Sequence, residues 1–392
     1  NKSKNILLAS NRILFLGDSI TASRHFIHDL QAALHLKGHA PEVIAAGLSS
    51  ETLCGLSEPK HPFPRPNLQE RLDRALAKAK PDLIFACYGM NDGIYHPFSE
   101  ERFAAYQKGI NTLIAKADNA GCKLILLTPP PFDPLAPGAR KALVSSDASS
   151  FSWTSIYEHY DRDVLSPYAA WIVKQSHRVE AVVDLHTAIN NFQQAQRQEN
   201  PGFSLSSDGI HPNKTGHHEM AKAIHRSLFD EPLPELTEDL VDFYRRRQSV
   251  LSPSWMSHIG HKRPGAKAGL PLPEAQARAA QVLNDYFGGP VGSLEIHELS
   301  RLKALFHFPG LLGSPRHRIN PRNHLSGKGD LVFAQLGIGS GKISAHKLSS
   351  AGQSLVPAFP IVSPRFLRVS ISTGPYHEPF THEHSNLIVR PH

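Results

Sequence analysis

Asn11-Arg12-Ile13-Leu14-Phe15-Leu16-Gly17-Asp18-Ser19-Ile20-Thr21 is an apolar run of strand length over residues 11–16 that breaks at a Gly-Asp-Ser turn. Phe26, Ile27, Leu30, Ala33 and Leu34 then recur at helical spacing, so the segment reads as strand, tight turn, helix. The pattern repeats downstream. Val43–Ala46 reads as a strand, Leu68–Ala79 as a helix, Asp82–Tyr88 as a strand, Glu100–Ala120 as a helix and Lys123–Thr128 as a strand. Alternation of this kind predicts an α/β fold with a central parallel sheet and helices on both of its faces, a three-layer α/β/α arrangement.

Pro129-Pro130-Pro131 ends the fourth strand, and Pro131–Ser155 reads as a long surface loop, a candidate wall or lid in which Phe132, Phe151 and Trp153 either line a pocket or pack beneath the loop. A helix is expected over Ile156–Ser176, a fifth strand over Val179–Asp184, and helices over Thr187–Arg197 and near Gly216–Leu228, which closes a first domain at residues 1–232. Amphipathic patterns over Glu238–Gln248 and Pro273–Phe287 suggest a helical extension at 233–290. In residues 291–392 the periodicity fades and His, Ser, Pro and Arg become frequent. That region reads as a basic tail without regular structure, or as a small β unit built on Leu331–Leu336 and Phe366–Ile371.

The chain of 392 residues, 40% hydrophobic, is long enough for a sizeable core. No apolar run reaches the roughly 18 to 20 residues of a membrane helix. The net charge of +7 suggests a polyanion binder until it is located: Arg301 onward carries 11 Lys/Arg against 3 Asp/Glu, which leaves residues 1–300 close to neutral. Aromatics do not interleave with the charges of the tail, so no nucleic-acid partner is expected. Cys54, Cys87 and Cys122 are too few for a disulfide scaffold, and the last two sit in or beside strand-like runs as buried thiols would. The 24 histidines include no His-Glu-x-x-His, and His217-His218 and His258/His261 lack carboxylate or cysteine partners at ligand spacing, so neither a metal nor another cofactor is expected. The sequence starts at Asn1 without Met. A leader peptide removed from it would favour the periplasm or the exterior, while the cytoplasm stays open, as does the oligomeric state.

Acyl transfer needs a nucleophile, a base, a group that orients the base, and donors aimed at the oxygen that becomes negative. Ser19, at the carboxyl end of the first strand, is placed to attack. Gly-Asp-Ser is also ordinary helix-capping chemistry, so it weighs little alone. Gly89-Met90-Asn91-Asp92 follows the third strand and would bring the Asn91 amide to the same sheet edge, although Asn-Asp-Gly is a common turn. Asp208-Gly209-Ile210-His211-Pro212 sets an acid and a base three residues apart in one loop, where the carboxylate can fix the tautomer of the imidazole.

These segments, in this order, resemble the conserved blocks of the SGNH hydrolase superfamily, the GDSL-like esterases and lipases, over about residues 11–230. The resemblance matches Ser19, Gly47, Asn91 and His211 to the four blocks, with Asp208 three residues before the histidine. It implies a flavodoxin-like α/β/α fold, catalysis by Ser19, His211 and Asp208 through an acyl-enzyme, and an oxyanion hole made by the N–H groups of Ser19 and Gly47 and the amide of Asn91. Asp18 and Asp92 are expected to be structural hydrogen-bonders. Ile20 stands where the family name has Leu, a change between similar apolar residues. In the second block, Ala45-Ala46-Gly47-Leu48-Ser49-Ser50-Glu51-Thr52, the chain departs from the family around Gly47, since the family more often has Asn at the place of Ala45 and a second Gly at the place of Ser50. The expected substrate is a small-molecule or glycan ester, with short-chain or carbohydrate O-acetyl esters preferred. The alternatives are a lysophospholipase or thioesterase, and a non-catalytic carbohydrate-binding module on the same scaffold.

Overall fold

The structure, a computed structural model, describes residues 2–286 and four short strands beyond them. In chain order the elements are α1 (Lys2–Ala9), β1 (Arg12–Gly17), α2 (Ser19–Ser23), α3 (His25–Leu36), β2 (Glu42–Gly47), α4 (Leu68–Ala79), β3 (Leu83–Cys87), α5 (Glu100–Asn119) and β4 (Lys123–Leu127). There follow α6 (Ala139–Ala142), β5 (Leu143–Val144), β6 (Ile156–Tyr157), a π-helical turn (Asp161–Leu165), α7 (Ser166–Val173), β7 (Ala181–Val183), α8 (Leu185–Glu199), α9 (Lys214–Phe229), α10 (Glu238–Ile259) and α11 (Leu272–Tyr286).

Five strands form a parallel sheet in the order β2-β1-β3-β4-β7. They are apolar nearly throughout because both faces are covered, and β1, β2 and β3 are buried along almost their whole length. Phe15 of β1 stacks on Phe85 of β3, its register partner, with ring centroids 4.7 Å apart. The strand order reverses direction between β1 and β3, which in an open α/β sheet puts the ligand crevice beyond the carboxyl ends of those two strands. The turns after β1 and β3 are the ones that carry Ser19 and Asn91.

Helix α3 packs on α9, and α9 on α8, while α4 packs on α5. Helix α10 joins the two groups, touching α3, α4 and the edge strand β2. It covers the open edge of β2 with hydrogen bonds: Gln248 Nε2 donates to the Val43 carbonyl at 3.0 Å and Ser252 Oγ to the Ala45 carbonyl at 2.7 Å. The sequence pattern ends this helix at Gln248, but it runs on through Pro253 to Ile259 and buries Leu251, Trp255, Met256 and Ile259.

The helix expected over Ile156–Ser176 is replaced in its first part. Ile156–Tyr157 instead pairs with Leu143–Val144 as a two-residue parallel ladder, and the Tyr157 N–H donates to the Tyr95 carbonyl at 3.0 Å. Regular helix begins only at Ser166, next to Pro167, a residue suited to a first turn. In the Pro131–Ser155 loop, Phe132 and Phe151 are buried while Trp153 is exposed. All three cysteines are free, with Cys87 and Cys122 buried. Residues Asn1–Leu283 form one compact unit and Asn284–His392 a second. In the second unit β8 (Val332–Phe333) pairs antiparallel with β9 (His346–Lys347), and β10 (Arg368–Ile371) with β11 (Ser385–Ile388). The expectation of an unstructured basic tail falls on residues that otherwise lie outside the described ones. No helix among the described residues is long and apolar enough to cross a membrane.

Candidate active site

Helix α2 starts at Ser19 because Asp18 caps it: the Asp18 carboxylate accepts the Ile20 N–H at 2.9 Å. This leaves the Ser19 hydroxyl at the mouth of the crevice, where Oγ lies 2.8 Å from His211 Nε2. His211 Nδ1 is 2.7 Å from Asp208 Oδ2. The other oxygen of Asp208 accepts the N–H groups of Ile210 and His211 and the Ser206 hydroxyl, so the whole loop is wound around this carboxylate. Ser19 and His211 are 192 residues apart in sequence.

Charge in this cluster is graded. Its half-buried position works against a charged His211, but the hydrogen bond and charge of Asp208, with the charge of Asp18, outweigh it and raise the ring above its ordinary value. Burial also opposes ionisation of Asp208. The bonds and charge of His211 and the Ile210 N–H prevail, and hold this carboxyl well below the usual carboxylate range. Asp18 feels the charge of His211 but has no hydrogen bond to it. Its burial pushes it up to about 7 despite the Ile20 N–H.

Asn91 is buried beside the crevice, with Nδ2 donating to the Glu51 carbonyl at 3.2 Å and Oδ1 accepting from the Tyr95 hydroxyl at 2.9 Å. These two bonds orient the amide and leave its second N–H unused by them. Tyr95 is itself held in an unusual backbone state, since Ile94 and Tyr95 have φ of 45° and 61°. Asp92 accepts the N–H groups of Leu53 and Cys54 at 2.7 and 2.9 Å, as a structural hydrogen-bonder would.

Gly47 ends β2, opposite Gly17 in register. A Cβ there would lie 2.4 Å from the Ala22 nitrogen, so the close approach of α2 to β2 requires glycine. Its N–H takes the open-edge side of β2. Glu42 and Leu48 donate to Asn11 and Gly17 of the β1 segment, and along a strand the residues between alternate away. Three residues later Ser50 has φ of 70°, the left-handed region that glycine occupies freely.

Glu51 and Arg71, which no sequence motif singles out, lie fully buried beneath this block. Arg71 donates to both carboxylate oxygens of Glu51 at 2.7 and 2.6 Å and to the Ala46 carbonyl at 2.8 Å, and Tyr88 donates to Glu51 at 2.6 Å. The signal was present in α4, where Arg71 stands among Leu68, Leu72, Ala75 and Leu76 on the buried stripe. Among the described residues no group of three or more His, Cys, Asp or Glu could hold a metal ion.

Residues 15–219 match the model of the GDSL-like Lipase/Acylhydrolase family. The chain belongs to that family. The matched span contains Ser19, Gly47, Asn91, Asp208 and His211. No curated protein matches the chain. Among solved structures, it is similar to a gut microbial diltiazem-metabolizing enzyme, with 16% identity, TM-score 0.44, and 56% of this chain and 47% of that one covered. The GDSL-like chain thus spans about half the length of that enzyme. It is also similar to an acetylxylan esterase from Geobacillus stearothermophilus, with 19% identity, TM-score 0.40, and 56% and 94% covered. A further acetyl xylan esterase is similar at 22% identity, TM-score 0.40, with 54% and 97% covered.

Proposed function

We propose that this GDSL-like acylhydrolase is a serine ester hydrolase that works through an acyl-enzyme on short-chain or carbohydrate O-acetyl esters. The observation that carries this reading is the continuous relay from Ser19 Oγ to His211 at 2.8 Å and from His211 to Asp208 at 2.7 Å. Neutral His211 takes the Ser19 proton as the hydroxyl oxygen attacks the ester carbonyl carbon. The imidazolium so formed sits against Asp208, which is ionised at any neutral pH, and then gives its proton to the departing alcohol. Water, deprotonated by His211, attacks the acyl-Ser19 ester in the second half and releases the acid.

Negative charge on the carbonyl oxygen is met by the Ser19 N–H, in the first turn of α2, and by the free N–H of the Asn91 amide. From the second block we take Ser50 N–H in preference to Gly47 N–H, because the latter lies on the open-edge side of β2. The Asn91–Glu51 bond brings the amide to the residue next to Ser50.

Two features support a small acyl group on a bulky alcohol. The Asp208 and His211 side chains are 45% and 48% exposed, so the leaving-group side of the cleft is open. The exposed large apolar side chains among the described residues are few, Leu36, Phe98, Leu135, Trp153 and Val173, and come from separate segments of the chain. The test is hydrolysis of p-nitrophenyl acetate, p-nitrophenyl palmitate and a peracetylated xylose by the wild type and by Ser19→Ala. Turnover of the acetyl esters that drops at least about 1000-fold in Ser19→Ala is expected. Equal rates in the two proteins would remove the serine mechanism, and preferential palmitate turnover would replace the substrate class.

A further inference from the structure

We propose that Arg263, which lies outside the span matched to the family, is a positioning residue that holds the Ser49–Ser50 peptide with its N–H turned toward the oxyanion. This inference rests on the serine-hydrolase reading of the same site.

The turn at issue is Leu48–Glu51, closed by the Glu51 N–H on the Leu48 carbonyl at 3.1 Å and tied to the end of β1 by the Leu48 N–H on the Gly17 carbonyl at 2.8 Å. Its third residue, Ser50, has φ of 70°, the mark of a type II turn. The central peptide of a four-residue turn has two orientations, related by turning it over, and type II is the one that demands a left-handed third residue. Glycine adopts it freely, whereas another residue pays roughly 1 kcal/mol or more. A serine at this place therefore biases the turn toward the other orientation unless something holds it.

Arg263 supplies the hold. Its Nε donates to the Ser49 carbonyl at 3.0 Å across 214 residues of sequence. The peptide is planar and trans, so a carbonyl directed at Arg263 directs the Ser50 N–H the opposite way. The guanidinium is itself fixed, stacked over the Phe63 ring at 5.0 Å and bonded through Nη1 to the Pro264 carbonyl at 3.0 Å. A second arginine secures the next peptide less tightly: Arg65 Nη1 reaches the Ser50 carbonyl at 3.4 Å while its other nitrogens grip Glu58 at 2.6 Å. The loop after α10 thus completes a structure that β2 begins.

The experiment uses the full chain with p-nitrophenyl acetate. Arg263→Met keeps an apolar stem over Phe63 and removes the donor. It is expected to lower kcat about 10-fold with KM changed less than about twofold, and to weaken a short trifluoromethyl ketone, whose adduct carries the oxyanion, by the same factor. Arg263→Gln, too short to reach Ser49, is the second variant and should behave alike. Arg263→Lys should recover most of the loss. Ser50→Gly in the Arg263→Met background should also recover it, because glycine holds the turn without help. A purely structural role for Arg263 would lower the melting temperature and gain nothing from Ser50→Gly. Kcat within about twofold of wild type in both the Met and Gln variants, or no recovery in the double variant, would overturn the inference and leave the serine mechanism standing. A wild type as inert as Ser19→Ala would instead bring down the hydrolase reading and this inference with it.

Discussion

Asp18 performs two tasks that pull its carboxyl in opposite directions. As the cap of α2 it accepts the Ile20 N–H, which favours the charged form, yet it is buried beside the buried acids Asp92 and Glu51, and the net result is a group pushed up to about 7. Since its unfolded value is the ordinary 3.8, the folded state binds the proton more tightly. The stability it contributes is full below that ordinary value and is lost as the pH rises through about 7. Asp18→Asn keeps an acceptor for Ile20 and never ionises. Its stability relative to wild type, measured by urea unfolding, should therefore improve as the pH is raised from 5 to 8, by on the order of 1 kcal/mol or more. Asp92, held near 6 by burial, has the same sign and is present in both proteins, so the difference between them reports Asp18 together with its repulsion by Asp92. A stability difference that stays constant over this range would mean that Asp18 ionises normally in the fold.

Helix α4 brings to the sheet a charge that its own pattern makes conspicuous. Arg71 and Glu51 are both fully buried and satisfied by each other, by Tyr88 and by the Ala46 carbonyl, so the pair is tolerable only as a complete set. Arg71→Met is expected to cost about 3–5 kcal/mol in urea unfolding, because it leaves a carboxylate in the core without its partner. Adding Glu51→Gln should return a substantial part of that loss. If the single change costs under about 1 kcal/mol, the network is not the element that secures the second block. The apolar runs of the five strands are legible because both faces of a parallel sheet are covered, and each run contains or overlaps the strand observed. The segment at Ile156 is not legible, since its apolar pattern suits a helix and only pairing with Leu143–Val144 and with Tyr95 draws it into an extended form. In α10 the amphipathic pattern ends at Gln248, yet burial of Leu251, Trp255 and Met256 on the body carries the helix on through Pro253.

For the molecule as a whole, the candidate site was legible where a residue type is itself the signal, as with Ser19, Asn91 and the Asp208/His211 pair. It was not legible where a role depends on backbone state or on a contact across the fold. Nothing in the letters Ser49-Ser50 discloses a φ of 70°, and nothing in Arg263 discloses a bond 214 residues away. The helices after residue 232 are thus part of the site's support, in two ways. Helix α10 covers the β2 edge at Val43 and Ala45 and buries Leu240, Phe243, Tyr244, Leu251, Trp255, Met256 and Ile259. At about 1.5–3 kcal/mol for each large apolar side chain, that burial is of the same size as the whole stability of a typical domain, about 5–15 kcal/mol. A chain ending at residue 232 would lack these side chains and expose the apolar surface of α3 and α4 that they cover, together with the unpaired edge of β2. Such a chain should be recovered as aggregate or as an unfolded species by circular dichroism and size exclusion. A chain ending at Tyr286 retains every residue assigned to the relay, the oxyanion hole and the Arg263 clamp, and should show the cooperative melting and the p-nitrophenyl acetate turnover of the full chain to within about twofold. A folded and active 1–232 chain would show that α10 and the Arg263 loop are dispensable to the site. An inactive 1–286 chain would assign an essential part of the enzyme to residues 287–392.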